Sequence, residues 1–144
     1  FKGQRQFILN RLFDLVPFYN GSASRLVAEY LLHYFSALPG PDDVKIRQED
    51  IQDLNKAIEV LTWIGEFGVL GMRRVSPIRV ALRSLHSLYE TASLYHIRRL
   101  QYKIAKSIQS IKKAAIESEL SDKEKKSLIA YADSYLNKIN SEAS

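Results

Sequence analysis

Ten positively charged side chains lie close together in the sequence and are the residues best suited to bind a ligand. Residues 73–113 hold ten Arg and Lys residues against one acidic residue, so this segment carries a net charge of +9 and the rest of the chain −4. Six of the ten are arginine, whose planar guanidinium binds phosphate or carboxylate through two parallel hydrogen bonds. The candidate anion-binding residues are Arg73, Arg74, Arg79, Arg83, Arg98, Arg99, Lys103, Lys106, Lys112 and Lys113.

A row of cations is also typical of a solvated helix face that binds nothing. Such a face usually alternates Glu with Lys four residues apart, because like charges at that spacing repel. Here the acidic residue is Glu90 alone. An anionic partner would supply the missing charge: nucleic-acid phosphates, an acidic protein surface or anionic lipid. The segment also contains Tyr95, His96 and Tyr102, which are suited to stacking on bases, although tyrosine at such spacing is more often half-buried packing.

The other motifs that could carry chemistry favour structural roles. Gly65-x-x-Gly68-x-x-Gly71 lacks the Gly-Lys-Ser/Thr ending of a phosphate-binding loop, so it predicts helix termination or close helix packing. No nucleophile, base and orienting acid stand at a readable spacing, and we expect a non-enzymatic chain with no cofactor and no metal. The three histidines show no metal-ligand spacing; they are His33, His86 and His96.

The elements that position these residues are all predicted to be helices. Apolar residues recur at intervals of three and four, and no segment alternates apolar and polar residues as a strand would. The fold class is therefore all-α, a compact bundle of about six helices. An offset of 24 residues aligns the apolar positions of the third and fourth helices, and short α-solenoid-like repeats in the C-terminal two-thirds are one form of this fold. The first three helices are expected over about 4–16, 24–38 and 48–67.

The middle of the basic segment is predicted to contain a break between two helices. Ser76-Pro77 favours the start of a fourth helix, because proline lacks an N–H that the first helical turn does not use. The apolar stripe then changes register near residues 91–95. We expect two helices broken at Ser93, with one long bent helix over 77–120 as the alternative.

The helix after Ser93 is expected to have opposed apolar and basic faces. At 100° per residue, its apolar stripe lies on the side opposite most of its cations. Arg79 and Arg83 flank the stripe of the preceding helix in a similar way. The stripe comprises Ile97, Leu100, Ile104, Ile108, Ile111 and Ala115, and the opposed cations are Arg99, Lys103, Lys106 and Lys113.

Length and composition bound the domain organisation. The chain has 144 residues, 46% of them apolar and 26% charged, which fits one domain with a hydrophobic core. We expect a single all-helical domain over 1–140 and a frayed tail over 141–144. The last helix is predicted to open at Ser121, where Glu124 completes a capping box.

Several classes of protein are excluded or disfavoured. The longest run without a charged residue, Tyr30 to Pro41, is too short to span a bilayer. The chain has no cysteine, which excludes disulfides and thiolate metal sites and favours a cytoplasmic, intracellular location. Because the sequence begins at Phe1 and not at Met, we expect it to be a piece of a longer polypeptide.

The sequence as a whole predicts a non-enzymatic helical binding module. Its basic face over 73–113 would engage an anionic macromolecule, with nucleic acid or a ribonucleoprotein as the leading candidate. The alternative is a protein-protein interaction or assembly domain that self-associates or docks another chain, as the soluble part of a larger or membrane-attached protein. An enzyme would require His86 or His96 to meet a carboxylate such as Glu90 or Glu59 in a pocket.

Overall fold

Four α-helices make up most of the described part of the chain. The computed structural model describes residues 48–69 and 75–143, and these ranges contain no strand. The all-α prediction is therefore confirmed for this part. The two helices expected over 4–16 and 24–38 lie outside the described residues, so four of the six expected helices are observed. They are α1 (Gln48–Phe67), α2 (Val75–Leu94), α3 (Arg98–Glu117) and α4 (Asp122–Ala143).

The predicted break in the basic segment is confirmed, and the single long helix is wrong. α2 ends at Leu94, and the next helix begins after a turn at Tyr95 to Ile97. The amide of Ile97 donates to the Ala92 carbonyl (2.9 Å) and that of His96 to the Ser93 carbonyl (3.1 Å). This bond pair, with His96 at φ 56°, is a Schellman motif whose left-handed residue is usually glycine.

The other helix ends follow the sequence with small shifts. Ser76 lies inside α2 and not before it, because the helix begins at Val75. Ser121 and Glu124 form the predicted capping box: the Glu124 amide donates to Ser121 Oγ (3.2 Å) and the Ser121 amide to Glu124 Oε1 (3.3 Å). The expected tail over 141–144 is helical as far as Ala143.

The buried core is built from one apolar stripe on each helix, as the spacing predicts. α2 and α3 pack against each other, and both also pack against α1 and α4, which lie on opposite sides of this central pair. The largest fully buried side chains share this interior; they are Leu54, Ile58, Leu61, Ile64, Ile78, Leu82, Leu85, Leu88 and Ile104. The α3 stripe predicted from the sequence is buried, except that Ile97 is half-buried.

A constant register relates the first two helices to the last two. Lys103 donates to Asn55, and Ser110 donates farther along α1 to Glu66, so α1 and α3 run parallel. Arg79 donates to Ser127, 48 positions away. These hydrogen bonds join residues 44 or 48 positions apart, so the α3–α4 hairpin stacks on the α1–α2 hairpin in the same orientation. The larger of these separations, 48 positions, is twice the 24-residue offset found between the apolar positions of the sequence.

Gly65 allows α1 and α3 to approach closely. A Cβ atom at position 65 would lie 2.8 Å from Cγ1 of Ile111 and closer still to its Cδ1. Gly65 also lies inside α1 and not at its end. Of the two roles predicted for the glycine run, close helix packing is therefore confirmed at this position.

Candidate anion-binding surface

The side of α3 that faces solvent is basic, and the opposite side of the helix is apolar and buried. Arg99, Lys106 and Lys113 are exposed, whereas Ile104, Ile108 and Ile111 on the other side of the helix are buried. Tyr102 belongs to the same outward row and is 66% exposed. The Lys106 ammonium lies 5.4 Å from the centroid of the Tyr102 ring, which is within cation–π distance. We call the row Arg98, Arg99, Tyr102, Lys106 and Lys113 the α3 ridge.

Two of the candidate cations are neutralised by the protein itself. Lys103 Nζ lies 2.9 Å from Glu59 Oε1 and donates to Asn55 Oδ1 at 2.7 Å. Lys112 Nζ lies 2.7 Å from Asp133 Oδ1. Each ion pair links α3 to a different helix, so the helix-face argument from α3 alone could not anticipate either pair.

Six candidate cations have no carboxylate within ion-pair distance among the residues that the structure describes. One of them, Arg79, donates to the neutral Ser127 hydroxyl, and its guanidinium lies 5.8 Å from the Tyr131 ring centroid. Arg73 and Arg74 lie outside the described residues. Apart from Arg79, the cations without such a carboxylate are Arg83, Arg98, Arg99, Lys106 and Lys113.

The described candidates are divided between two helices. Arg79 and Arg83 are exposed on α2, and the cations of the ridge are exposed on α3. Arg79 lies against α4, beside Ser127 and Tyr131. The structure therefore groups four cations without a carboxylate in ion-pair distance on α3, whereas Arg79 and Arg83 belong to α2.

The first of two clefts beside the ridge lies between the N-terminal halves of α1 and α3. Its volume is about 480 Å³. Arg99, Lys103 and Lys56 supply positive charge to its lining, and Gln52 and Asn55 supply amide groups. The two amide residues stand three positions apart on α1, which places them on one helix face. Sequence analysis missed them, because their role depends on the register between α1 and α3.

The second cleft lies on the other side of the α3 N-terminus, against the C-terminal ends of α2 and α4. Its volume is about 780 Å³. His96, Arg98 and Tyr102 line it, so two of the three aromatic residues proposed from the sequence meet beside one arginine. Tyr89 and Ile139 contribute apolar surface, and both are buried. We call this the aromatic cleft.

The N-terminus of α3 has an unusual charge for a helix start. Its first turn contains no acidic residue, and the residue before it, Ile97, makes no side-chain capping bond. Instead, Arg98 and Arg99 occupy the first two helical positions. Positive side chains at the positive end of the helix dipole destabilise the helix start, and a bound anion would offset both charges.

Neither of the two described histidines lies beside a carboxylate in one of the two clefts. His86 Nδ1 lies 3.3 Å from Glu90, yet neither residue lines either of the two clefts. The His86 ring stacks on Tyr135 at 4.7 Å, and burial, first among the causes, raises the pKa of that tyrosine well above its usual range. No group of three or more His, Asp or Glu residues suited to hold a metal occurs within 48–69 and 75–143.

Comparison with known proteins does not place the chain in a family. No family model, no curated protein and no solved structure matches it. A membrane span is also not observed: none of the four described helices is both long and apolar enough to cross a bilayer. The function is therefore inferred from the surface itself.

Proposed function

We propose that the chain is a non-enzymatic binding module whose α3 ridge engages an anionic macromolecule, with nucleic acid as the leading candidate. The observation that carries this proposal is the set of four cations on one exposed helix face, none of which has a carboxylate of the described residues within ion-pair distance. From Arg98 to Lys113 this face extends about 22 Å along the helix axis, which is long enough to follow several backbone phosphates.

The charge pattern favours recognition of the nucleic-acid backbone over recognition of a particular base sequence. Arg and Lys neutralise phosphates and release counterions, and this contribution is independent of base sequence. The charged start of α3 adds to it, since Arg98 and Arg99 would both gain from a nearby phosphate. Lys103 contributes less to phosphate binding, because its ammonium already forms an ion pair with Glu59.

Charge reversal on the ridge tests the proposal. The triple variant R99E/K106E/K113E should bind a fluorescein-labelled oligonucleotide about tenfold or more weakly than the wild type in anisotropy titrations at low salt. The three side chains are exposed, so the fold should be preserved, and far-UV circular dichroism would verify this.

A matched control variant distinguishes the effect of where the reversed charges lie from the effect of the change in net charge on affinity. The variant R83E/K123E/K126E reverses three exposed cations that lie away from the ridge and changes the net charge by the same amount. It should retain most of the affinity. Equal loss in both triple variants, or no binding by the wild type at 50 mM salt or below, would contradict the proposal.

A second candidate function is supported by the stacking of the two hairpins. Parallel, repeated helical hairpins are the packing mode of α-solenoids, which present extended surfaces to protein partners. We propose the same architecture here in its shortest form. Leu94, Tyr102 and Ile116 are large apolar side chains exposed by 57%, 66% and 50%, and they would contribute to such an interface.

Solution mass distinguishes this second candidate. If the exposed apolar residues join copies of the chain, light scattering coupled to gel filtration should give a multiple of 16.5 kDa at low micromolar concentration. L94S/I116S should then restore the monomer mass. A monomer at high micromolar concentration would remove self-association from the candidate functions.

A further inference from the structure

The aromatic cleft differs chemically from the rest of the basic surface. Its lining combines the rings of Tyr89, His96 and Tyr102 with a single cation, Arg98. The cleft between α1 and α3, by contrast, is lined by three cations and two amide side chains and has no ring. Two neighbouring clefts of such different composition are suited to different parts of one ligand: a planar apolar group and a charged backbone.

Tyr102 is placed to connect the cleft with the ridge. Its ring lines the cleft and lies within cation–π distance of Lys106. With 66% of its surface exposed, the ring retains area for a second planar partner. Stacking of a base on such a ring requires no particular sequence, because every base has a π face.

The floor and the polar groups of the cleft are already ordered. Tyr89 is 4% exposed and Ile139 5%, so both are fixed by the core. Gln101 Nε2 donates to Ser93 Oγ at 2.9 Å, which holds the α2 and α3 walls together. A ligand entering the cleft would therefore meet a preformed site and lose little affinity to ordering it.

We propose that the aromatic cleft accepts an unpaired nucleobase, so that the ligand is a single-stranded nucleic acid and not a duplex. The proposal rests on the proposed function and narrows its ligand class. Bases within a duplex are stacked on each other, so their faces are not available to a ring such as Tyr102, whereas a single strand can turn one base outward. The phosphates on either side of that base would lie near Arg98, Arg99 and Lys106.

Three probes with the same number of phosphates per strand test the proposal. They are a labelled single-stranded 12-mer, a 12-mer in which every base is replaced by an abasic site, and a 12-base-pair duplex. The wild-type chain should bind the single strand on the order of tenfold more tightly than the abasic strand. At matched salt, it should also prefer the single strand to the duplex.

Substitutions at Tyr102 connect this preference to the cleft. Y102F keeps the ring and should keep the preference for bases, whereas Y102L keeps apolar bulk without a ring and should bind both single strands equally. N137A removes an exposed side chain of α4 that lines neither cleft and should change nothing. Unchanged thermal midpoints would show that all three variants fold.

The outcomes separate this inference from the function on which it rests. If the single strand, the abasic strand and the duplex bind equally, the ridge recognises phosphate alone, and the base-binding cleft is overturned while the proposed function stands. A preference that survives Y102L also overturns it. If no probe binds at low salt, the proposed function itself fails.

Discussion

Among the residues that the structure describes, His96 is the one non-glycine residue with a positive φ. With φ at 56°, it occupies the left-handed position that ends α2, where a residue with a Cβ atom costs about 1–2 kcal/mol relative to the helical region. Its side chain also lines the aromatic cleft. Backbone strain is common at binding sites, where a residue is kept for its function although it lowers the stability of the fold.

Replacing His96 should change stability and binding in opposite directions. H96G removes the strain at some cost in chain entropy, and we expect it to raise the free energy of unfolding by about 0.5–1 kcal/mol. H96V should lower it by about 1 kcal/mol or more, since β-branched residues tolerate this conformation poorly. Urea titration monitored by circular dichroism measures both changes.

The same H96G variant should bind the single-stranded probe more weakly despite its higher stability, because the cleft loses one ring. If H96G instead lowers the free energy of unfolding, the side chain of His96, and not its backbone conformation, dominates the contribution of this residue to stability. The change of apolar register predicts a break near Ser93, and the structure places it two residues later, at 95–97. The Schellman motif could not be predicted, since the glycine that normally marks it is absent.

At the scale of the helices, the contact between α1 and α3 depends on the missing side chain at Gly65. A methyl group there would overlap the side chain of Ile111, which is 1% exposed and belongs to the packed core. Against this, alanine is a better helix former than glycine by about 1 kcal/mol. Overlap in a packed core costs about 1–3 kcal/mol, so the overlap should dominate.

G65A should therefore lower the free energy of unfolding, and the loss should be smaller in a chain that already carries I111V. Valine lacks the Cδ1 atom that lies nearest to the added methyl group. Chemical denaturation of the two single variants and the double variant gives the coupling energy. Additive losses would mean that some other contact of Gly65 sets the cost.

Sequence periodicity predicts the helices more fully than the contacts between them. The apolar stripes of α2 and α3 are buried as expected, because each stripe is a local property of one helix. The ion pair of Lys103 with Glu59, by contrast, depends on a register between helices 44 positions apart. No local spacing encodes that register, so the sequence could not show which cations the protein neutralises.

At the scale of the whole molecule, four cations of the basic segment share one exposed side of α3. None has a carboxylate within ion-pair distance among the described residues, and all lie opposite the buried apolar stripe of the helix. Each phosphate that such a cation neutralises on a single strand contributes about −0.7 to the slope of log affinity against log salt. Four contacts predict a slope of about −3 for the wild-type chain.

Releasing an internal ion pair should increase affinity only where the freed lysine lies beside the ridge. E59Q removes the carboxylate paired with Lys103, and we expect tighter binding with a slope steeper by about 0.7. D133N makes the same change in net charge but releases Lys112 on the α4 side, and it should leave the slope unchanged. Salt titrations of anisotropy compare the two, and equal effects would show that only net charge matters.

The contact at Gly65 also bears on a site that it does not line. Gly65 lies near one end of the paired helices α1 and α3, and Asn55, in the wall of the first cleft, lies about 15 Å away along the same axis. The two helices are also joined at the cleft by the hydrogen bond from Lys103 to Asn55, so a side chain added at position 65 would push them apart against that bond. The missing side chain at residue 65 thus helps Asn55 and Lys103 to remain within hydrogen-bond distance in the wall of the first cleft.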